Sequence, residues 1–368
     1  MTIRCIRIAT ILLAAIILAG AARPSRARPP DDRLYLLRRG INLTNWFRFP
    51  PHADAEALRS YLSDAAIENL HRAGFGFVRI SVQPEFLDAA PGRRDLLVEQ
   101  IARVQRHHLA VVVALHPQNW KLESNPADRA DLFRFWRNLA PALRRLDSRL
   151  TFPELLNEPV FPHDPEGWAK LQEEVRAVIR LALPDSTIVL TGNDWGSLAG
   201  LTALPDSVDP NVVYSFHFYD PVELTSLAAW RPGLDTAVLA RLPFPAANSE
   251  SCNAVAGSTD SATAEVVRYY CAQKWTATSI TARIDTAAAW ARRNDAVVLL
   301  GEFGATARLN QLARLAWFEA VRRACESDGI GWAMWGYDDV MGFDMSRPPK
   351  PRETMNTAVL GALGLVVQ

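Results

Sequence analysis

The sequence is poor in the residues and motifs that hold metals and cofactors. Its 368 residues include four Cys and seven His, and His107 and His108 are the only adjacent histidines. It has no HExxH motif, no CxxC pair, no phosphate-binding glycine loop and no GxSxG motif. Gly74-Phe75-Gly76 lacks the third glycine of a dinucleotide site and is typical of a turn before a strand. These absences predict a protein that uses no metal and no cofactor.

An excess of charge of one sign is also missing. The chain has 40 basic and 40 acidic residues, and four of the basic ones lie in the first 27 residues, which contain no acid. Without that segment, 36 basic residues face 40 acidic ones, a net charge of −4. Because nucleic-acid-binding domains carry a strongly basic surface, this balance predicts no nucleic-acid partner.

The hydrophobic run near the N-terminus is short for a membrane span. It comprises 13 residues, Ile8 to Gly20, follows Arg4 and Arg7, and precedes Ser25-Arg26-Ala27. A membrane helix needs about 20 apolar residues, whereas charged, apolar and small residues in this order are typical of a secretory signal. We predict a signal peptide over residues 1–27, whose removal leaves residues 28–368 periplasmic or secreted and away from the membrane. An uncleaved anchor is the alternative.

The scarce cysteines have few possible roles. Cys5 lies within the predicted signal peptide, which leaves Cys252, Cys271 and Cys325. An exported chain meets an oxidising environment, where disulfides persist. We therefore predict a disulfide between Cys252 and Cys271, with two free thiols in a mobile loop as the alternative. Cys325 lies in a helix-like stretch and is predicted to be a buried thiol.

Strand-like and helix-like segments alternate along residues 28–368. Val111-Val112-Val113 is apolar without alternation, which is typical of a strand buried on both faces. Eight β/α units predict a parallel sheet closed into a barrel, so we predict an α/β fold, a single-domain (β/α)8 TIM barrel. The predicted strands are Gly40–Asn45, Phe77–Val82, Ala110–His116, Thr151–Asn157, Thr187–Leu190, Val212–Tyr219, Val297–Glu302 and Gly331–Trp335. The predicted helices are Asp54–Ala73, Leu96–His108, Asp128–Leu146, Pro165–Leu183, Ile280–Arg293 and Leu309–Ser327.

A long insertion interrupts this pattern after the sixth strand. It runs from Asp220 to about Thr278 and is rich in Pro, Ser, Asn and Gly. Long loops in compact domains are usually lids or binding elements, so we predict that this one forms a wall of the cleft. Its aromatic residues either stack on a ligand or pack the loop against the barrel; they are Trp230, Tyr269, Tyr270 and Trp275.

Polar and charged residues follow the predicted strands, at the end of a barrel where active sites lie. Glu158 and Glu302 both follow strand-like runs, where an ionised side chain has no packing role. A Glu that caps the next helix is the alternative for either residue alone. The other candidates at these ends are Asn42, Asn45, Arg79, His116, Asn157, Trp195, His217, Tyr219 and Trp335.

Two carboxylates in different surroundings suit the cleavage of a glycosidic bond. One is protonated and donates to the leaving oxygen, and the other is ionised and attacks or activates water. A cation such as Arg79 beside the second carboxylate keeps it ionised. Tryptophans after strand ends offer flat faces to sugar rings, whereas those within helices are predicted to pack in the core. The first group is Trp46, Trp120, Trp195 and Trp335, and the second is Trp136, Trp290 and Trp317.

These motifs together resemble glycoside hydrolase family 5, the cellulase-like (β/α)8 retaining glycosidases. The matching segments, in chain order, are Arg39-Gly40-Ile41-Asn42-Leu43, Gly76-Phe77-Val78-Arg79-Ile80, Leu115-His116, Leu156-Asn157-Glu158-Pro159, Ser215-Phe216-His217-Phe218-Tyr219, Gly301-Glu302-Phe303-Gly304 and Trp332-Ala333-Met334-Trp335. The resemblance implies that Glu158 is the acid/base and Glu302 the nucleophile. It also implies a shell around the cleaved sugar made of Arg79, His116, Asn157, His217, Tyr219 and Trp335. Ala114 and Pro117, which flank His116, depart from the family pattern at the outer subsites.

The resemblance implies a secreted or periplasmic retaining endo-β-glycanase that acts on β-1,4-glucan or a related β-glucan. Its partner is then a β-linked polysaccharide or oligosaccharide, and we expect a monomer. The alternatives within the family are a β-mannanase, a β-1,3-glucanase and an exopolysaccharide-processing hydrolase. A different class, a non-catalytic polysaccharide-binding accessory protein, is disfavoured by the intact pair of carboxylates.

Overall fold

The computed structural model describes residues 28–257, 259–345 and 355–365, so the predicted signal peptide, residues 1–27, lies outside the described residues. Eight parallel strands pair in chain order, and the last pairs with the first to close a barrel. The predicted α/β TIM barrel is therefore confirmed. The strands are β1 (Arg39–Phe47), β2 (Phe77–Val82), β3 (Ala110–Leu115), β4 (Thr151–Glu154), β5 (Ile188–Thr191), β6 (Val212–Phe218), β7 (Val298–Phe303) and β8 (Gly331–Met334).

Helices surround the barrel and follow the strands. Among the described residues, none of them is both long enough and apolar enough to cross a membrane. They are α1 (Asp31–Leu36), α2 (Ala55–Ser60), α3 (Asp64–Ala73), α4 (Pro84–Asp88), α5 (Arg93–Arg106), α6 (Pro126–Leu143), α7 (Pro165–Ala182), α8 (Asn193–Gly196), α9 (Leu198–Thr202), α10 (Val222–Thr225), α11 (Thr236–Leu239), α12 (Ser249–Asn253), α13 (Ser261–Ala272), α14 (Ala277–Arg293), α15 (Gln311–Ser327) and α16 (Thr357–Ala362).

Two predicted elements differ from the observed ones for local reasons. The helix predicted over Asp54–Ala73 is split into α2 and α3, because Ser63 accepts a hydrogen bond from the Ala66 amide and starts a new helix. The strand predicted to reach Asn157 ends at Glu154. Pro153 has no amide donor for the ladder, and β4 aligns with β5 at the single pair Glu154–Val189.

An apolar plug fills the amino-terminal half of the barrel interior. Phe77 belongs to this buried cluster, and Leu34 and Leu36 of α1 pack against it. Gly40 is required beside the Phe77 ring, since a Cβ atom there would lie 2.2 Å from it. Two residues further along β2 and on the same face stands Arg79, which is also fully buried. The interior thus changes from apolar to charged within one strand.

The insertion after β6 is helical rather than irregular, which corrects the sequence-based picture of an irregular loop. It contains α10 to α13 and a short 3-10 turn, Ala254–Ala256. A disulfide joins Cys252 of α12 to Cys271 of α13, whose Cα atoms are 5.7 Å apart. Cys325 is a buried free thiol, and burial raises the pKa of this thiol.

The aromatic residues of the insertion divide into packed and exposed ones. Tyr270 is buried and donates its hydroxyl to the Pro243 carbonyl at 2.6 Å, and Trp275 is buried beneath Arg283. Trp230 and Tyr269 are 62% and 57% exposed. None of these four aromatic residues lines the cavities that contain Glu158, to which the described part of the insertion contributes Asp220 alone. The contact of the segment with these cavities is therefore made by Asp220, and its role as a wall of the cleft stays a prediction.

Candidate active site

Two carboxylates meet at the carboxyl end of the barrel. Glu302 lies near the end of β7, and Glu158 lies in the loop that follows β4. One oxygen of each carboxylate and one ring nitrogen of His217 all lie within 4.8 Å of one another. Parallel strands bring these residues together although they are distant in sequence, because all their carboxyl ends meet at one rim.

Arg79 links the buried charges beneath this pair. Its Nε and Nη2 atoms donate to the two oxygens of Glu154 at 2.6 and 2.7 Å, and its Nη1 donates to Glu302 Oε1 at 2.6 Å. The guanidinium also donates to the side-chain oxygens of Asn42 and Asn157 at 2.8 and 2.7 Å. Burial opposes the charge of Arg79, but the carboxylates of Glu154 and Glu302 outweigh it and raise the pKa of the guanidinium. The side chain is therefore a permanent cation in contact with both acids.

The two residues at the end of β6 contact both carboxylates. The Tyr219 hydroxyl donates to Glu302 Oε2 at 3.0 Å. His217 Nδ1 lies 3.0 Å from Glu158 Oε1 and 3.6 Å from Glu302 Oε2. Burial and the charge of Glu302 raise the pKa of Tyr219 well above 10, so it stays a donor. Burial opposes the charge of His217, but Glu302 and Glu158 outweigh it and raise the pKa of the imidazole.

The two carboxylates differ in their exposure to solvent. The Glu302 side chain is 4% exposed and receives donors on both oxygens, from Arg79 and Tyr219. The Glu158 side chain is 33% exposed and has one side-chain neighbour within hydrogen-bond distance, His217. The two carboxyl groups therefore lie in different surroundings, one enclosed by donors and the other open to solvent.

His116 and Trp335 form a stacked pair above the plug. Their ring centroids are 5.9 Å apart and the planes differ by 23°. Both ring nitrogens of His116 are buried and have no partner among the described residues. Burial, then the cations of Arg79 and Arg48, lower the pKa of His116 well below 6.5. The ring is therefore neutral and keeps one donor and one acceptor for a ligand.

Glu158 lines three cavities. One of 280 Å³ lies between Glu158, Glu302 and Trp335. A second, of 470 Å³, extends over His116 and Trp120, and a third, of 420 Å³, lies on the His217 side. Two larger cavities of 810 and 760 Å³ lie around α1 at the opposite end of the barrel and contain none of these residues. The two candidate catalytic carboxylates therefore lie in the cavities at the carboxyl end of the barrel.

Some of the tryptophans line the cavities at Glu158, and others are buried in the core. Trp195 is 58% exposed and lines the 470 Å³ and 420 Å³ cavities beside Glu158. Trp46 is fully buried, and its indole donates to the Leu58 carbonyl at 2.7 Å. The prediction that Trp46 binds substrate is wrong, because at that position on β1 the indole packs outward against the helices. Trp136, Trp290 and Trp317 are buried, as predicted for core residues.

Sequence reasoning missed three charged residues of this end of the barrel. Glu154 is a fully buried acid in β4, and its charge inside a buried strand was the available signal. Arg48 follows β1 and lines two of the cavities. Asp338 accepts from the Thr44 amide and hydroxyl at 2.8 and 2.6 Å and from the Asn45 amide at 3.0 Å. Local sequence carries no signal for Arg48 and Asp338, whose positions depend on distant elements.

Glu158, His217 and Glu302 are the group of three in the described part of the chain that could hold a metal ion. Both oxygens of Glu302 already accept hydrogen bonds, and the Arg79 guanidinium neutralises it at 2.6 Å. The donor set thus fits a hydrogen-bonded network better than a cation site, because a cation would have to compete with the guanidinium.

An eight-stranded barrel with two unlike carboxylates at its carboxyl end has the arrangement expected of a glycoside hydrolase of the (β/α)8 type. The family model "Cellulase (glycosyl hydrolase family 5)" matches residues 39–339. The chain therefore belongs to glycosyl hydrolase family 5, which confirms both the resemblance read from the sequence and the expectation of an enzyme.

Curated relatives carry endoglucanase names. Endoglucanase 3 of Fibrobacter succinogenes is 23% identical over 342 residues, which cover 83% of this chain and 50% of that protein. Endoglucanase C of Acetivibrio thermocellus is 24% identical over 335 residues, which cover 86% of this chain and 96% of that protein. The chain thus spans half the length of the first relative and nearly all of the second.

Solved structures show the same fold. Thermotoga maritima Cel5A in complex with mannotriose has a TM-score of 0.71 and 23% identity, over 91% of this chain and 99% of that chain. The cellulose synthase subunit Z of Clostridioides difficile has a TM-score of 0.69 and 23% identity, over 89% and 99% of the respective chains.

The two histidines are predicted to titrate on opposite sides of pH 6.5. We expect His217 to titrate above this value and His116 to stay neutral there. Glu302→Gln removes a charge that raises the pKa of His217, so this variant should titrate at lower pH than the wild type. Proton-nitrogen NMR of histidine-labelled protein measures the titration of His217 and His116 in the wild type and of His217 in the Glu302→Gln variant. A wild-type His217 that titrates below 6.5 would contradict the assigned network.

Proposed function

We propose that the protein is an exported endo-β-glucanase that cleaves β-1,4-glucan with retention of anomeric configuration. The observation that carries this proposal is the carboxylate pair, whose oxygens approach within 4.8 Å. Retaining glycosidases have carboxyl groups about 5–5.5 Å apart, whereas inverting ones leave room for a water at about 6.5–9.5 Å. The spacing therefore supports a double displacement.

Glu302 is the nucleophile in this proposal. Its carboxylate is buried, accepts from Arg79 and Tyr219, and faces the 280 Å³ cavity. These donors favour an ionised oxygen, which attacks the anomeric carbon as the bond to the leaving oxygen breaks. The product of this step is a covalent glycosyl–Glu302 ester.

Glu158 is the acid and then the base. It is the more exposed carboxyl and lines all three cavities, where leaving group and water both reach it. It donates its proton to the leaving oxygen in the first step and takes a proton from water in the second. The water oxygen then replaces Glu302 at the anomeric carbon, which restores both carboxyl groups and retains the configuration.

Variants of the two acids test this division of roles. We expect Glu302→Gln to abolish turnover, because the covalent ester no longer forms. Glu158→Gln should lower turnover of oligosaccharides by about 10²–10⁴-fold, with a smaller loss in the first step for a dinitrophenyl glycoside, whose leaving group needs no proton. The exposed acid Glu166 of α7 provides the control Glu166→Gln. NMR of the first-formed anomer reports stereochemistry, and an inverted product would overturn the mechanism.

The shape of the opening favours attack within a chain. Cavities continue from Glu158 on the His116 side and on the His217 side. A chain can therefore extend past the cleavage point in both directions. The curated relatives named endoglucanases support a glucan, and the Cel5A complex with mannotriose makes β-mannan the first alternative to exclude.

The pattern of products tests the substrate. We expect mixed-linkage β-glucan and soluble cellulose derivatives to yield oligosaccharides of mixed length, with a rapid fall in viscosity. High-performance chromatography of early products distinguishes this from exo attack. Release of monosaccharide alone, or activity confined to β-mannan or β-1,3-glucan, would refute the proposal. Activity confined to a nascent polysaccharide would favour the exopolysaccharide-processing alternative, which the fold shared with a cellulose synthase subunit supports.

Export is the final part of the proposal. It is supported by the order of charged, apolar and small residues before residue 28 and by the disulfide of Cys252 and Cys271. We expect the exported protein to begin at Arg28, to keep its disulfide and to be a monomer, since all the described site residues come from one chain. Intact mass and light scattering measure these properties, and a retained residue 1–27 segment would instead indicate an anchor.

A further inference from the structure

Arg48 is an arginine of the cleft with no hydrogen-bond or ion-pair partner in the described part of the chain. It follows β1, and its guanidinium carbon lies 4.7 Å from the centre of the Phe49 ring. Its Nε atom is buried and has no hydrogen-bond partner. Among the described residues, its side chain has no carboxylate within 4.0 Å. Stacking on Phe49 holds the side chain in place without satisfying its donors.

The two arginines of the site, Arg79 and Arg48, differ in how many of their donors have a protein acceptor. Arg79 is saturated, since all of its nitrogens donate to Glu154, Glu302, Asn42 or Asn157. The oxygens of Glu302 already accept from Arg79 and Tyr219. Arg48 therefore has only longer-range attractions, to Glu302, Glu158 and Asp339. Burial lowers the pKa of Arg48, but an arginine remains charged at neutral pH.

Arg48 stands where two cavities meet. It lines the 280 Å³ cavity that holds both carboxylates and the 470 Å³ cavity beside Glu158. The second cavity is within the size range of ligand sites. Its other polar walls are the amides of Gln118 and Asn119, which have no partner among the described side chains, the unpartnered nitrogens of His116, and the site residues Asn157 and Glu158.

We propose that the 470 Å³ cavity is a subsite for a sugar that bears a carboxylate, and that Arg48 binds this carboxylate. The inference rests on the proposed function and narrows its substrate class to acidic β-glycans, such as a β-glucan chain with uronic acid residues. Arg48 is then a specificity-determining residue, not one that takes part in bond cleavage.

The physical reason lies in the cost of displacing water from a cation. A sugar that enters the cavity removes water from the guanidinium, and a buried charge needs a charged or hydrogen-bonding partner. Sugar hydroxyls offer single neutral acceptors, whereas a carboxylate matches the guanidinium with two parallel hydrogen bonds and opposite charge. Amide and imidazole groups on the other walls add donors, and Glu158 is the one acid that lines this cavity.

A pair of matched oligosaccharides tests the inference. One is a neutral β-1,4-linked glucose hexamer, and the other is the same hexamer with its primary alcohols oxidised to carboxylates. We expect wild type to have at least about tenfold higher kcat/KM on the acidic hexamer, and Arg48→Gln to lower the ratio of acidic to neutral kcat/KM by about tenfold or more. Arg48→Lys should keep part of the preference, because it keeps the charge but loses the paired geometry.

Two controls test whether the change in the ratio of acidic to neutral kcat/KM comes from the position of Arg48 in the cavity. Arg137 of α6 also lies over an aromatic ring, Phe133, but lines none of the cavities at Glu158. Arg137→Gln should therefore keep the wild-type ratio. The preference for the acidic hexamer should also shrink with added salt, since salt screens charge pairs.

Three outcomes would overturn the inference. These are a wild type that prefers the neutral hexamer, an Arg48→Gln variant that loses activity equally on both, and equal binding of both hexamers. If neither hexamer is cleaved, the proposed function fails in its substrate, and calorimetry of both hexamers with wild type and Arg48→Gln still decides the inference. Tighter binding of the acidic hexamer that depends on Arg48 would uphold it.

Discussion

The buried pairing of Arg79 with Glu154 and Glu302 is the interaction on which the site depends. Three charges lie out of water in the barrel, and a buried ion pair of this kind adds little net stability. Its value is geometric, since one rigid guanidinium fixes an acid of β4, an acid of β7 and two amide side chains. Removing the guanidinium would leave two acids buried without a counter-charge. The desolvation of these groups costs stability, and its result is one defined arrangement of the carboxylate and amide oxygens.

The apolar plug makes that arrangement possible. Phe77 and its neighbours stabilise the amino-terminal half of the barrel, and Gly40 leaves room for the Phe77 ring. The other half can then carry charges whose burial is costly. Because inward-facing residues alternate along each strand, the step from Phe77 to Arg79 sets the boundary between these halves.

The sequence predicted the features that local pattern determines. The eight strands have apolar runs of the right length, and Glu158 and Glu302 follow such runs, so both could be found without coordinates. Glu154 was missed because its role depends on Arg79, a partner on another strand. Trp46 was misplaced because a strand-end position does not reveal which way an indole points. The insertion was predicted to be a long loop because three of its four helices, α10 to α12, have only four or five residues and leave no periodic signal.

Asp338 holds the loop after β8 against the end of β1. Its carboxylate accepts from Thr44, Asn45 and Tyr61, and β8 itself pairs with β1 where the barrel closes. The same bonds therefore orient the Trp335 region and fasten the first strand to the last. A barrel held in this way cannot open its seam and keep its binding site.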